Sequence, residues 1–311
     1  MQSHESSRPS STRTSIRVER RFPLDLRQSD HAIRELYEDA KRARWTPDLD
    51  VSWDAFDAGA HDAAALDAAR RVWSRRAWLE YTGLAETPAL LIRFCLELDR
   101  EADPKYFLTV RNTEEAWNIE SFHRYAEACG GYLDTPANAQ WQPLFNRGLH
   151  RDALDAGRSL DGHVLTHCTF GDGLEHALAG AWLANTREPV AKALLERCVA
   201  ARERHARFGW LYIERRASLM SSEERAAAAQ VLAAHLEQVE LAGARCVGLA
   251  TAIDAAADVE NLERVASAGL GAVSAEAEVV LFTQHLADCR ERLEAIGIEL
   301  PPLAHPKLGR I

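Results

Sequence analysis

Glu120 and His123 stand three residues apart in the run Ile119-Glu-Ser-Phe-His-Arg-Tyr125. On a helix this spacing lets both side chains reach one point in the core. A buried carboxylate costs several kcal/mol unless it is paired or metal-bound, so an inward-facing Glu-x-x-His asks for a cation. Groups of the same chemistry recur in largely apolar surroundings: Glu86 in the preceding helical stretch, Glu175 in a third and His205 in a fourth. Glu80 competes with Glu86 for the first of these places, and Glu86 is preferred on its spacing to Glu120. Carboxylates and imidazoles from four helices suit one or two iron ions, with manganese as the alternative metal.

The elements that would position these groups are helical. The 311 residues are 47% hydrophobic and 27% charged, with only 17 Gly and 11 Pro. Ala and Leu dominate, and β-branched runs are few, which favours helix over sheet. A helix beginning at Ser29 or Asp30 carries the stripe Ile33, Leu36, Tyr37 and Ala40. Longer patterns follow over about 62–100, interrupted near Thr82-Gly83 and near Thr87-Pro88, where a kink is expected, and from Pro104 to Gly130-Gly131. Residues 132–157, with Pro136, Pro143, Gly148 and Gly157, read as a long connection. Two more long patterns cover 160–184 and 189–217, followed by shorter ones over 222–242, 243–257 and 274–296. Two long helices, a crossover and two more long helices is the connectivity of a ferritin-like bundle. The expected fold is therefore all-α: a ferritin-like four-helix bundle with additional N- and C-terminal helices. It would form one domain over 29–311, with the bundle core at about 62–217 and the C-terminal helices at about 222–296, behind a mobile tail over 1–28.

At the candidate ligands the chain resembles the ferritin-like diiron carboxylate superfamily, and within it the p-aminobenzoate N-oxygenase type. The resemblance rests on IESFHRY at Ile119–Tyr125, GLEHALAGAWLA around Glu175 and ARERHARFG at Ala201–Gly209, and it spans roughly Trp78–Tyr212. It implies an iron-dependent oxidoreductase that uses dioxygen to oxygenate a small organic substrate, with Glu86, Glu120, His123, Glu175 and His205 as metal ligands. The fourth helix departs from the pattern. Arg202 stands where the family has a ligand Glu, and Cys198 replaces the extra histidine of the N-oxygenases. Ile119 and Ala201 stand where acids would orient the ligand histidines, a loss that typically costs 10- to 100-fold in metal affinity or activity. Glu203, two residues from His205, lies about 200° away around the helix and is a poor substitute.

Two readings of Arg202 follow. Its guanidinium can take the place of a metal ion, pairing with Glu86, Glu120 or Glu175 and leaving a mononuclear site or none. Alternatively it swings outward, and Asp172, one turn before Glu175, supplies the missing oxygen ligand. The corresponding functions are a metal-dependent oxygenase with a degenerate site, or a redox-inactive ferritin-like scaffold that binds a ligand or partner.

The remaining features narrow the class. A net charge of −10 without a local basic patch argues against nucleic acid and anionic membrane as partners. Six dispersed cysteines without a CxxC pair fit reduced thiols and a cytoplasmic protein, and no apolar run is long enough to span a membrane. Homodimerisation is compatible with the sequence. His163 and His167, one turn apart at a spacing that can bind metal, read as partly exposed helix histidines with His167 as a reserve ligand, Glu114 and Glu115 as capping or solvated acids, and Arg70-Arg71, Arg75-Arg76 and Arg215-Arg216 as solvated faces.

Overall fold

The computed structural model describes residues 30–97, 101–147 and 149–311; the tail expected over 1–28 lies outside the described residues. Eleven α-helices, four 3-10 turns, two π-helical segments and one hairpin of two-residue strands make up its regular structure among the described residues. Helix α1 (His31–Arg42) starts at Asp30, whose carboxylate accepts from the Ile33 amide, and buries Ile33, Leu36 and Ala40. The first bundle pair is α2 (Ala63–Leu96) and α3 (Ala102–Ala128). After a crossover carrying the short helices α4 (Gln142–Phe145) and α5 (Leu149–Leu154), the third bundle helix begins as α6 (Leu160–Val164). It widens into a π-helical segment over Leu165–Gly171 and continues as α7 (Asp172–Asn185). The fourth is α8 (Pro189–Ala217), with Pro189 at its first position and the Glu188 carboxylate capping Val190 and Ala191. The all-α, ferritin-like connectivity is thus present.

Helices α9 (Ser222–His235), α10 (Ala256–Ala268) and α11 (Ala275–Ala295) pack around this bundle, against α6, α2 and α7 respectively. The hairpin pairs β1 (Ala304–His305) with β2 (Gly309–Arg310). A capping box between Ser221 and Glu224 starts α9. The helix expected over 243–257 is not formed. Gly243 takes φ +93, and a Cβ there would stand 2.9 Å from the Ala250 amide nitrogen, so the chain turns tightly and re-enters a helix only at Ala256.

Helix α2 runs unbroken through Pro88. The interruption read at Thr82-Gly83 is a packing device instead: a Cβ on Gly83 would stand 2.5 Å from Oε1 of Glu115 on α3. Its absence lets a carboxylate sit against the α2 backbone.

Candidate functional site

The helix faces decide which polar groups meet. On α3 the buried face carries Phe107, Leu108, Arg111, Glu114, Glu115, Asn118, Phe122 and Tyr125. Glu120 lies two residues from both Asn118 and Phe122, about 200° around the axis, and is exposed. His123 is half exposed, 3.9 Å from Glu127 on the same surface. The expectation that Glu120 and His123 form the second-helix half of a core site is therefore corrected: neither faces the bundle interior. Glu115 and Asn118, also three apart, occupy the interior instead, and Glu115 is not the solvated acid expected.

Glu86 is buried, but it joins a different group from Glu175. Its carboxylate lies 3.1 Å from Nδ1 of His167. Burial would raise its pKa, yet the neighbouring His167 outweighs that and holds it at about 2. Glu80, the competitor, is the α2 acid in the centre of the bundle.

The centre itself is an arginine–carboxylate cluster. The Arg202 guanidinium, from α8, pairs with Glu80 of α2, with Glu175 of α7 at 2.6 Å and with Asp172 of α7 at 3.3 Å. Arg202 is only 5% exposed, so it points inward, as the first of its two readings required. Arg111 donates twice to Asp172, at 2.8 Å each, and lies 2.7 Å from Glu115. Glu115 also accepts from the Thr87 hydroxyl at 2.8 Å, and Asn118 donates to Glu80 at 3.0 Å. The Cys198 thiol donates to the Asn118 side-chain oxygen at 3.3 Å, and burial pushes its pKa up to about 12. That thiol is inert.

Burial dominates the electrostatics of two acids here. Glu80 is raised to about 7 by desolvation, with Glu175 and Glu115 nearby adding to the rise that Arg202 opposes. Glu115 is raised to about 7 for the same leading reason, against Arg111. Asp172 goes the other way: burial is outweighed by Arg111, and its pKa lies below the usual range. Glu80 therefore keeps a proton in the folded protein over a pH range where it has lost it in the unfolded chain. Its contribution to stability is fully present below about 4.5 and is lost as pH rises towards about 7. Glu80→Gln removes that dependence. The melting temperature of the variant relative to the parent is expected to climb between pH 5 and pH 7.5, and a constant difference would rule out a raised Glu80.

A second polar arm extends from Glu175. Arg245 lies 2.7 Å from Glu175 and pairs with Glu240, which lies 3.0 Å from Nε2 of His235. The His235 ring packs edge-on against His167 at 5.5 Å, and His167 stacks on His163 at 6.0 Å. Both histidines of α6 and its π segment are buried, not partly exposed as expected. His205 is fully buried and turned towards α3, where Nε2 lies 2.8 Å from Glu114, while its Nδ1 has no partner. Glu114 is thus also a buried acid and not a solvated one.

The comparisons with known proteins are informative at the level of the fold. No protein-family model and no curated protein matches the chain. Among solved structures, an R2-like ligand-binding oxidase with an aerobically reconstituted metal cofactor after photoconversion matches with TM-score 0.60 and 17% identity, over 85% of this chain and 93% of that one. The chain has the fold of these oxidases. A structure with an aerobically reconstituted Mn/Fe cofactor matches with TM-score 0.55 and 19% identity, over 88% of this chain and 95% of that one. A variant with an Fe/Fe cofactor matches with TM-score 0.60 and 18% identity, over 85% and 93%.

The residues at the centre of this bundle fit a metal pair poorly. Five carboxylates, of Glu80, Glu115, Asp172, Glu175 and Glu240, already face three guanidinium cations, of Arg111, Arg202 and Arg245. Two of those acids titrate near 7, so the cluster approaches electrical balance with no further cation. Among the described residues, no group of three or more His, Cys, Asp or Glu side chains is placed to hold a metal ion. A guanidinium in the middle would also repel one.

Proposed function

We propose that this protein uses the R2-like oxidase fold as a small-molecule-binding scaffold, in which the Arg202 guanidinium stands where a metal would otherwise bind the core acids. One observation carries this reading: Arg202 is buried and ion-paired with acids from two other bundle helices. A planar fork with a permanent charge joins several carboxylates at once, as a cation would, but offers no open coordination position and no redox chemistry.

A second reading, the metal-dependent oxidoreductase acting on a small organic substrate with dioxygen, is favoured by two observations. The structural neighbours carry Mn/Fe and Fe/Fe cofactors, and His205 keeps an unpartnered Nδ1 in the core. It requires Arg202 to leave the cluster. Metal analysis of protein expressed with added iron and manganese separates the two. The proposed function expects well below one metal ion per chain in the parent and an increase in Arg202→Glu, which adds a carboxylate and removes the cation. About two ions per chain in the parent would establish the oxidoreductase reading instead.

Among the described residues no helix is long and apolar enough to cross a membrane. All six cysteines are free, and five of them are buried.

A further inference from the structure

Helix α2 turns its charges inward. Arg75 and Arg76, expected on a solvated face, are buried: Arg75 donates to the Gly243 and Ala244 carbonyls at 2.8 and 3.0 Å, and Arg76 lies 3.7 Å from the Trp182 ring centre. Glu80, Glu86 and Arg93 are buried as well, and they are the only charged residues between Trp78 and Leu96. What α2 shows to solvent over these turns is therefore uncharged. Tyr81 is 64% exposed, Ile92 is 47% exposed and Cys95 is exposed, with Leu84, Ala85 and Pro88 half-buried between them. Their spacing by three and four places them on one stripe.

The adjoining helix repeats the pattern. Between Tyr106 and Ile119 of α3 the charged residues are Arg111, Glu114 and Glu115, all buried, while Thr109 and Thr113 are exposed and Asn112 and Ala116 half-buried. The two helices pack side by side and antiparallel, with Gly83 and Thr87 against Glu115, so their outer faces join into one surface. The fourth bundle helix is built the usual way: α8 exposes Lys192, Glu196, Glu203, Arg207 and Glu214. The uncharged face on α2 and α3 is about 28 Å long and, with helices about 10 Å apart, about 20 Å wide. Its footprint, on the order of 500 Å², is at the upper end of what monomers leave apolar and approaches the roughly 800 Å² that each partner gives to a standard interface.

We infer that this face is the contact between two copies of the chain, paired about a two-fold axis that crosses α2 between Glu86 and Thr87. The stripe is self-complementary about that point. Tyr81 and Ile92 are equally far from it on either side, as are Ala85 and Pro88, so an antiparallel α2 pair sets each Tyr81 on the partner's Ile92 and the smaller Ala85 on the partner's Pro88 at the centre. Charge favours the same occupant. Each copy carries a net charge of −10, and a face without charge is where two such chains approach with least repulsion. A charged partner would have its own charges desolvated against this face without a counter-ion, and an anionic lipid surface would find no Lys or Arg on the stripe. The pairing is independent of what the core binds.

The test is sedimentation of the full-length protein over about 1–100 µM, where a dimer is expected. Ile92→Glu and Tyr81→Lys, both at exposed positions, should each weaken it at least tenfold without lowering the helical content seen by circular dichroism. Leu219→Glu, which changes an apolar residue of 65% exposure away from this face, should leave it unchanged. The double variant Tyr81→Lys with Ile92→Glu tests the axis, because it sets each new lysine opposite the partner's new glutamate. It should dimerise at least tenfold better than the two single losses combined would give. The inference is overturned if the parent is a monomer throughout, if neither single variant weakens the dimer, if Leu219→Glu weakens it as much as Ile92→Glu, or if the double variant shows no recovery. A monomer that floats with phosphatidylcholine vesicles would likewise overturn it, and would assign the face to a lipid surface.

Discussion

Arg202→Met is expected to lower the melting temperature by roughly 5–8 °C at pH 7.5, because removing one partner of a buried ion network strands the others, typically at about 3–5 kcal/mol. The methionine keeps most of the stem's packing and removes only the fork, so the loss reports the charge. Glu80, Glu175 and Asp172 each lose a counter-ion at once, and only Glu175 and Asp172 keep a second arginine, Arg245 and Arg111 respectively. The damage should therefore fall mainly on Glu80. Combining Arg202→Met with Glu80→Gln ought to recover a sizeable part of the loss, a coupling that a double-mutant cycle measures. A melting temperature within a degree of the parent would mean that Arg202 does not hold the core acids together, and the scaffold function would lose its support. The same substitution sharpens the contrast with an oxidase. In a protein whose acids await a metal, deleting an inward cation would relieve repulsion and aid loading, and iron in the medium would then restore the lost stability.

Helix positions were readable from the chain because propensity, caps and prolines agree, as with Asp30 before α1, Pro189 opening α8 and the Ser221–Glu224 capping box. The faces were harder to read. Glu120-x-x-His123 has the spacing of a ligand pair, but spacing alone does not say which way a pair points. The stripe Phe107, Arg111, Glu115, Asn118, Phe122 and Tyr125, stepping by three and four, carries that information, and it places Glu120 on the opposite side. The stripe was hard to see because it contains an arginine, a glutamate and an asparagine, residues normally assigned to solvent. The same bias hid Arg75 and Arg76, and His163 and His167, whereas the preference for Glu86 over Glu80 comes from its spacing to Glu120, a residue that faces solvent. Charges inside this bundle neutralise one another across helices, and such pairings between distant segments leave no local pattern. Arg202 was legible for the opposite reason. It broke a motif at a known position, and of the partners the break pointed to, Glu86, Glu120 and Glu175, the structure pairs it with Glu175 alone and adds Glu80 and Asp172.

Gly209→Ala should destabilise the protein by about 3 kcal/mol or more, and it should do so by moving the helix that carries Arg202. A Cβ at this position would overlap the Cys168 carbonyl and stand 2.5 Å from the Thr169 amide nitrogen, so it meets the backbone of the π segment and not a side chain that could turn away. Gly209 is seven residues, about two turns, after Arg202 and on nearly the same face of α8. Cys168 is four residues, about one turn, before Asp172. The backbone contact between α8 and the π segment thus sets the separation at which the guanidinium meets Asp172 and Glu175. Pushing α8 outward would lengthen those ion pairs together and add an electrostatic loss to the steric one. Gly180, on the adjacent α7, provides the control: a Cβ there meets nothing within 4 Å, so Gly180→Ala should be neutral or stabilising by up to about 1 kcal/mol through helix propensity. Thermal or denaturant unfolding of the two variants measures the difference. Equal stabilities would mean that α8 can shift from the π segment without cost, and that the cluster's geometry is set elsewhere in the bundle.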